Sequence, residues 1–175
     1  YGFLIQTSVE VLDGFSAGWG ASMGDVAANT FGASIGITQS LVWDEQRIWM
    51  KYSYSASRYA QVRPNVLGSN LAERILKDYN GQTYWLSANV NSFLKEDTKW
   101  PKWLNIAAGY GADGMVGGYD NTYIYYDKTA TYKRARQFYL SPDIDLTRIP
   151  VNKKGLRTLL IMANCIKFPM PTLEY

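Results

Sequence analysis

The sequence contains no histidine and only one cysteine, and these two shortages exclude several kinds of functional site. Without histidine, a Ser-His-Asp triad, a Cys-His dyad and a histidine-ligated zinc site cannot form. The single cysteine, Cys165, cannot make an internal disulfide or a CxxC redox pair. The surrounding pattern predicts an apolar strand, in which Cys165 would be a small buried hydrophobic residue. We expect no cofactor and no metal.

Basic residues are absent from the first part of the chain. Residues 1–46 contain five acidic residues and no base, whereas residues 47–175 contain 18 bases and 10 acids. The bases are spread over several predicted strands and turns without a nucleic-acid-binding motif, so nucleic acid is not expected as a partner. The basic stretch 127–157 would meet lipid phosphates at a membrane surface or form a set of solvated loops.

A start signal is also missing from the chain. The sequence begins at Tyr1 without an initiator methionine, and no secretory signal pattern follows it. Its carboxyl end carries no stop signal for the last predicted element. We therefore expect the 175 residues to be a fragment of a longer protein, although their number suits one domain with a sizeable core.

Residues 1–45 predict a helical segment rich in small residues. Small residues recur there at every fourth position, on one ridge of an α-helix: Gly20, Gly24, Ala28, Gly32 and Gly36. Such a ridge lets another backbone approach closely, either in the packing of membrane helices or in a tight soluble helix pair. The segment is too polar for a fully apolar membrane span. We expect the ridge to pack against another helix.

The hydrophobic period changes to two from about residue 46, which predicts a β-rich, aromatic region over residues 46–175. Strands with one apolar and one more polar face are expected over the segments 47–56, 83–93 and 103–110. Asn70 and Glu73 form the pattern of a capping box, so one short helix is expected near 70–79.

Three further segments complete the predicted β region. The segments 123–126 and 136–140 are expected to pair with each other across a basic loop. The segment 156–168 is the longest strand candidate, because its middle is apolar on both faces and prolines follow it. The fold class is therefore α+β, with glycine-rich amino-terminal helices followed by an antiparallel β-rich region.

Aromatic residues lie near the ends of the predicted strands. In an outer-membrane β-barrel such residues form girdles at the membrane interfaces. The candidates are Trp49, Trp85, Trp100, Trp103, Tyr110 and Tyr139. Five or six predicted strands are too few for an eight-stranded barrel. Either chain outside this sequence completes the barrel, or the sheet stays open and packs on the helices, or a soluble sheet has an aromatic core.

Acidic residues in the amino-terminal segment are the candidates for chemistry. Glu10 and Asp13 share a helical face at i, i+3, and Asp25 and Asn29 share one at i, i+4. Clustered carboxylates can share a proton, bind a hard cation or act as acid and base. The alternative for these residues is a helix cap or a structural hydrogen bond.

Two stretches of the chain resemble a known family. The segment 10–14, Glu-Val-Leu-Asp-Gly, followed by the segment 24–36, Gly-Asp-Val-Ala-Ala-Asn-Thr-Phe-Gly-Ala-Ser-Ile-Gly, resembles the paired motif of VanZ-like membrane proteins. With the segments 77–87 and 103–111, it is similar to the larger Gram-negative members of the YfiM-like family, predicted cell-envelope lipoproteins of unknown function. The resemblance covers about residues 8–112 and implies a cell-envelope protein at the outer membrane, without an assigned activity.

Three functions follow from these patterns. The first is a non-enzymatic outer-membrane or envelope component, an accessory or structural subunit that packs against a larger membrane complex and contacts lipid. The second is a lipid- or cell-wall-modifying hydrolase that uses Glu10, Asp13 and Asp25. The third is a small channel or ligand binder with polar strand faces around a lumen. Because no histidine base or recognisable nucleophile is present, the first is favoured.

Overall fold

A computed structural model describes residues 23–95, 97–117, 121–125 and 128–175. The chain divides into two compact units, with the boundary between Arg47 and Ile48. Within the described part of the first unit, one long helix, α1 (Met23–Trp43), occupies almost all of the chain. No helix in the described ranges combines the length and the apolar character needed to cross a membrane.

The helix α1 ends in a small polar motif. The Nε2 atom of Gln46 donates to the carbonyl oxygen of Gly36 at 3.2 Å, and the backbone N–H of Arg47 donates to the Oε1 atom of Gln39 at 2.9 Å. Asp44 has a positive φ of 54°, which turns the chain out of the helix. These bonds tie the residues that follow α1 back to its last two turns.

The second unit is built on an open antiparallel sheet with the strand order β1-β2-β3-β6-β7. Its strands are β1 (Ile48–Tyr54), β2 (Gln82–Asn89), β3 (Leu104–Asp113), β6 (Ala135–Ile144) and β7 (Leu173–Glu174). Two further strands, β4 (Thr122–Tyr125) and β5 (Lys128–Thr131), form a separate hairpin. The expected α+β class is confirmed, but the sheet is not a closed barrel.

Short helices connect these strands. They are α2 (Tyr59–Val62), α3 (Pro64–Leu67), α4 (Leu71–Lys77) and α5 (Lys154–Ala163), with 3-10 turns at Val90–Phe93 and Leu146–Arg148. The predicted cap of α4 is present, because the Oδ1 atom of Asn70 accepts from the backbone N–H of Glu73 at 3.0 Å. The carboxylate of Glu73 reaches back to the backbone N–H of Ser69 at 2.9 Å, one residue before the cap.

Two predicted strand assignments are wrong. The segment 156–168 lies mostly in α5, and Cys165 follows this helix as an exposed residue instead of lying buried in a strand. A short apolar run does not by itself distinguish a strand from a helix. The segment 123–126 does not pair with 136–140, because β4 pairs with β5, the next strand in the sequence, while β6 pairs with β3.

The carboxy-terminal segment, residues 164–175, reaches both edges of the sheet. At one edge, the backbone N–H of Tyr52 donates to the carbonyl oxygen of Cys165 at 2.8 Å, and that of Lys167 donates to the carbonyl oxygen of Tyr52 at 2.9 Å. At the other edge, β7 pairs with β6. The segment therefore passes from β1 to β6, and it places Lys167 against the sheet.

Candidate functional site

The two faces of the sheet have the reverse of the usual polarity. One side of the sheet, which we call the inner face, carries the buried residues Lys51, Ser87, Asn89, Asn105, Ser141 and Asp143. We call outer face the opposite side, which carries the exposed residues Met50, Tyr84, Leu86, Ile106, Tyr110, Phe138 and Leu140. The predicted alternation is thus present, but its apolar face points outward and its polar face is buried.

Apolar side chains of the outer face form a continuous row across the sheet. The strand register aligns the neighbours in the order Met50, Leu86, Ala108, Leu140 and Leu173. Leu86 is 41% exposed, Leu140 50% and Leu173 73%. A contiguous apolar surface of this kind marks a site of contact with protein or membrane, since a soluble protein buries such a face.

An aromatic row borders this apolar band on one side. The register places Tyr52, Tyr84, Tyr110 and Phe138 side by side. Edge-to-face contacts join Tyr52 to Tyr84, with ring centroids 5.7 Å apart, and Tyr110 to Phe138, at 5.5 Å. The helix α4 lies over this margin, because the hydroxyl of Tyr52 donates to the carbonyl oxygen of Ile75 at 2.6 Å.

Tryptophans lie at the opposite end of the band. Trp103 precedes β3 directly and is 44% exposed, and the indole Nε1 atom of Trp100 donates to the carbonyl oxygen of Leu104 at 2.9 Å. On β3 the outer-face side chains run from Leu104 to Tyr110, six residues apart, which corresponds to about 20 Å along an extended chain. An apolar band about 25 Å tall between two aromatic margins is typical of strands that face lipid.

Three of the six predicted interface aromatics do not lie on the outer face. Trp85 is 6% exposed and lies on the inner face, where Tyr139 contacts it with ring centroids 5.8 Å apart. Strand alternation places Trp49 on the same side as Lys51, half-buried. A Cβ atom on Gly109 would lie 2.7 Å from the indole of Trp85, so only glycine fits beside this ring.

A buried ion pair occupies the centre of the inner face. The Nζ atom of Lys51 lies 2.8 Å from the Oδ2 atom of Asp143, and both side chains are fully buried. Lys51 also donates to the carbonyl oxygen of Ile144 at 2.7 Å and to the Oδ1 atom of Asn164 at 3.0 Å. All three N–H groups of the ammonium therefore have acceptors. This arrangement offsets much of the desolvation cost of burying a lysine.

Hydrogen bonds extend this ion pair along the inner face. The hydroxyl of Ser87 donates to the Oδ2 atom of Asp143 at 2.6 Å, and the amide of Asn105 donates to the hydroxyl of Ser87 at 3.0 Å. The amide of Asn89 donates in turn to the Oδ1 atom of Asn105 at 2.7 Å. Four strands are thus joined through side chains as well as through their backbones, since Lys51 lies on β1 and Asp143 on β6.

Lys167 brings a second positive charge to the inner face. Its Nζ atom lies 3.9 Å from the Oδ1 atom of Asp143, donates to the hydroxyl of Ser141 at 3.1 Å, and lies 4.9 Å from the ring centroid of Trp85. Burial lowers the pKa of Lys167 below its usual value, Asp143 opposes this change, and Lys51 adds to it. The position of Lys167 on the inner face therefore disfavours its charged form.

This lowered pKa predicts a pH dependence of stability. Between the lowered pKa of Lys167 and its ordinary value of 10.5, the unfolded chain binds more protons than the folded chain, so the free energy of unfolding rises with pH. We expect Lys167→Met to remove this rise, as measured by urea unfolding at a series of pH values. Lys133→Met, at an exposed position, is the control and should keep it. An unchanged slope in Lys167→Met would contradict the assignment.

The measurement is best made below pH 10. Burial raises the pKa of Tyr52, Tyr84 and Tyr139 above 10.0. Above pH 10 the unfolded chain therefore loses these protons first, which lowers the free energy of unfolding as the pH rises. This change has the opposite sign to that from Lys167.

The predicted acidic site is only partly within the described residues. Glu10, Asp13 and Gly20 lie outside them. Asp25 and Asn29 lie on α1 one turn apart. Of the predicted ridge, Gly24, Ala28, Gly32 and Gly36 lie on the same helix, and a Cβ atom on Gly36 would meet nothing within 4 Å apart from the adjacent backbone of α1 itself. In the described ranges, no three carboxylate or cysteine side chains come together to hold a metal ion.

The inner-face network is the feature that sequence reasoning missed. Strand alternation puts Lys51, Ser87 and Asn105 on the polar sides of their strands, so the sequence could have indicated this part of the network. Asn164 and Lys167 come from a segment assigned to a strand, so their approach to Lys51 and Asp143 was not predictable. Comparisons with family models, with curated proteins and with solved structures found no match to this chain.

Proposed function

We propose that this protein is a non-enzymatic component of a cell envelope whose sheet contacts lipid acyl chains with its outer face. The observation that carries the proposal is the reversed polarity of the sheet, with leucines and aromatic rings exposed and an ion pair buried. In water this arrangement exposes apolar surface and desolvates charge, both of which cost free energy. Against acyl chains, the exposed leucines and aromatic rings leave water, so this part of the cost disappears.

The two aromatic margins support a lipid environment over an apolar protein partner. Tyrosine and tryptophan rings combine an apolar body with a polar tip, which suits the boundary between acyl chains and headgroups. The outer-face side chains of β3 span about 20 Å, which approaches the height of the apolar band in membrane β-structures. Membrane contact through strands points to an outer membrane, and the resemblance to envelope lipoproteins agrees with this location.

An accessory or structural role in a larger membrane complex is the second part of the proposal. The small residues at every fourth position of α1 would let a partner helix approach closely. The hydrolase alternative depends on Glu10 and Asp13, outside the described residues, and no observation favours it. A channel is not proposed, because Lys51 and Asp143 fill the centre of the inner face and are fully buried there.

A site-specific polarity measurement tests the lipid contact. In a Cys165→Ser background, which leaves no cysteine, Leu140→Cys carries an environment-sensitive fluorophore on the outer face. We expect its emission to shift to the blue when the protein is reconstituted in phosphatidylcholine vesicles. The same label at Val66→Cys, an exposed position on α3, is the matched control and should not shift. Equal emission from both positions would reject the proposal.

A further inference from the structure

One end of the sheet gathers several elements that carry free positive charge. At this end β2 stops, β3 begins and β6 stops, and the two 3-10 turns and α5 follow there. The guanidinium of Arg148 donates to the hydroxyl of Ser92 at 3.0 Å, which joins the two turns. The backbone N–H of Asp145 donates to the carbonyl oxygen of Trp103 at 2.8 Å. This end is therefore one connected surface beside the tryptophan margin.

The helix α5 belongs to the same surface and is hardly covered. The backbone N–H of Leu146, in the second turn, donates to the Oδ1 atom of Asn164 at the end of α5, at 3.0 Å. No residue of α5 is buried, and Leu156, Leu159 and Met162 are 45%, 62% and 66% exposed. A helix with exposed apolar residues and basic residues at its start has the character of an interfacial helix.

Five exposed lysines lie in the segments that adjoin this end of the sheet, and we call them the lysine rim: Lys95, Lys99, Lys102, Lys153 and Lys154. The stretches 94–103 and 145–157, which contain them, hold seven basic and three acidic residues, a net charge of +4. Within the described part of the chain, none of the five lysine side chains forms an ion pair or a hydrogen bond. Their charge is available to a partner.

The opposite end of the sheet also carries positive charge, and two of its arginines bind the backbone of the chain. Arg63 donates to the carbonyl oxygen of Val116 at 2.7 Å, and Arg134 donates to that of Gly117 at 2.8 Å. These arginines hold the loop that follows β3. Two exposed lysines, Lys77 and Lys133, also lie at this end, which therefore offers matched positions for control substitutions.

We infer that the lysine rim binds the phosphates of anionic lipid headgroups. The inference rests on the proposed lipid contact of the outer face, because the rim lies next to Trp103, where the apolar band ends. Lysines just outside an aromatic margin lie at the depth of headgroup phosphates, and a basic residue near an anionic membrane surface contributes about 1 kcal/mol. The apolar residues of α5 add area that lies in the interface.

Binding to vesicles of two compositions tests this inference. One set is phosphatidylcholine alone, and the other is phosphatidylcholine and phosphatidylglycerol at a ratio of about three to one. The test variant is Lys102→Gln/Lys154→Gln. The matched control is Lys77→Gln/Lys133→Gln, which removes the same charge at the opposite end. Flotation at several lipid concentrations gives the affinity of each protein.

The test variant is expected to bind the anionic vesicles about 30-fold more weakly than the unchanged protein, at about fivefold per lysine. The control variant should stay within about twofold, and all proteins should bind phosphatidylcholine vesicles equally. A second test variant, Lys99→Gln/Lys153→Gln, should show the same loss of affinity for anionic vesicles. Agreement between the two test variants would show that the loss does not come from a folding defect in one of them. Equal losses in test and control variants, or no loss, would overturn the inference.

The outcomes separate this inference from the proposed function. Binding to phosphatidylcholine alone, with unchanged affinity of the test variant for anionic vesicles, would reject the lysine rim and keep the lipid contact of the outer face. Binding only to anionic vesicles, lost in the test variant, would keep the lysine rim and reject the acyl-chain contact. We expect binding through the lysine rim to weaken strongly as the salt concentration rises, because salt screens interactions between exposed charges.

Discussion

Replacing Asp143 with asparagine is expected to lower the free energy of unfolding by about 3–5 kcal/mol, the range found when a buried ion pair loses one partner. The carboxylate lies 2.8 Å from the Nζ atom of Lys51 and 3.9 Å from that of Lys167. Asparagine has the same shape but no charge, so two buried ammonium groups remain without a counter-ion. Urea unfolding in mild detergent measures the change.

Two companion variants show whether the effect comes from the lost charge. Asp97→Asn changes the same group at an exposed position and should alter the free energy of unfolding by less than about 0.5 kcal/mol. Lys51→Met combined with Asp143→Asn should cost less than the two single changes together, because the residues are in direct contact. If Asp143→Asn is as stable as the unchanged protein, the buried network does not hold the sheet to the carboxy-terminal segment.

Replacing Leu86 with arginine is expected to weaken partition into phosphatidylcholine vesicles by about two orders of magnitude. An arginine on the lipid side of a membrane strand costs about 2–4 kcal/mol near the middle of the bilayer. Leu86 lies in the middle of the apolar row, between Met50 and Ala108, and is 41% exposed. Since it fills no core, the change should leave folding in detergent intact. Flotation with vesicles measures partition, and urea unfolding in detergent measures folding.

Val66→Arg is the matched control for this variant. Val66 is also 41% exposed, but it lies on α3, outside the sheet. The same change of side chain there should leave partition close to that of the unchanged protein. Equal partition of Leu86→Arg and Val66→Arg would argue against lipid on the outer face. Loss of folding in Leu86→Arg would instead show that the outer face is covered by protein.

Local sequence signals predicted several elements and missed others for identifiable reasons. The capping pattern at Asn70 predicted α4, because a cap depends on neighbouring residues. Strands β1, β2 and β3 were predicted within a few residues, since each has a clear period of two. The residues of α5 were assigned to a strand because the run is apolar on both faces in its middle. The partner of β6 is distant in sequence, so no local pattern identified it.

The sequence by itself determined that each strand has an apolar and a polar face, and that the chain contains no histidine chemistry. Only the tertiary structure decided which face is buried. Alternation is symmetrical, since it predicts two faces and does not say which one points inward. That direction depends on Asn164 and Lys167, which the carboxy-terminal segment brings to Lys51 and Asp143. Because these contacts join residues over a hundred positions apart, they exist only once the chain has folded.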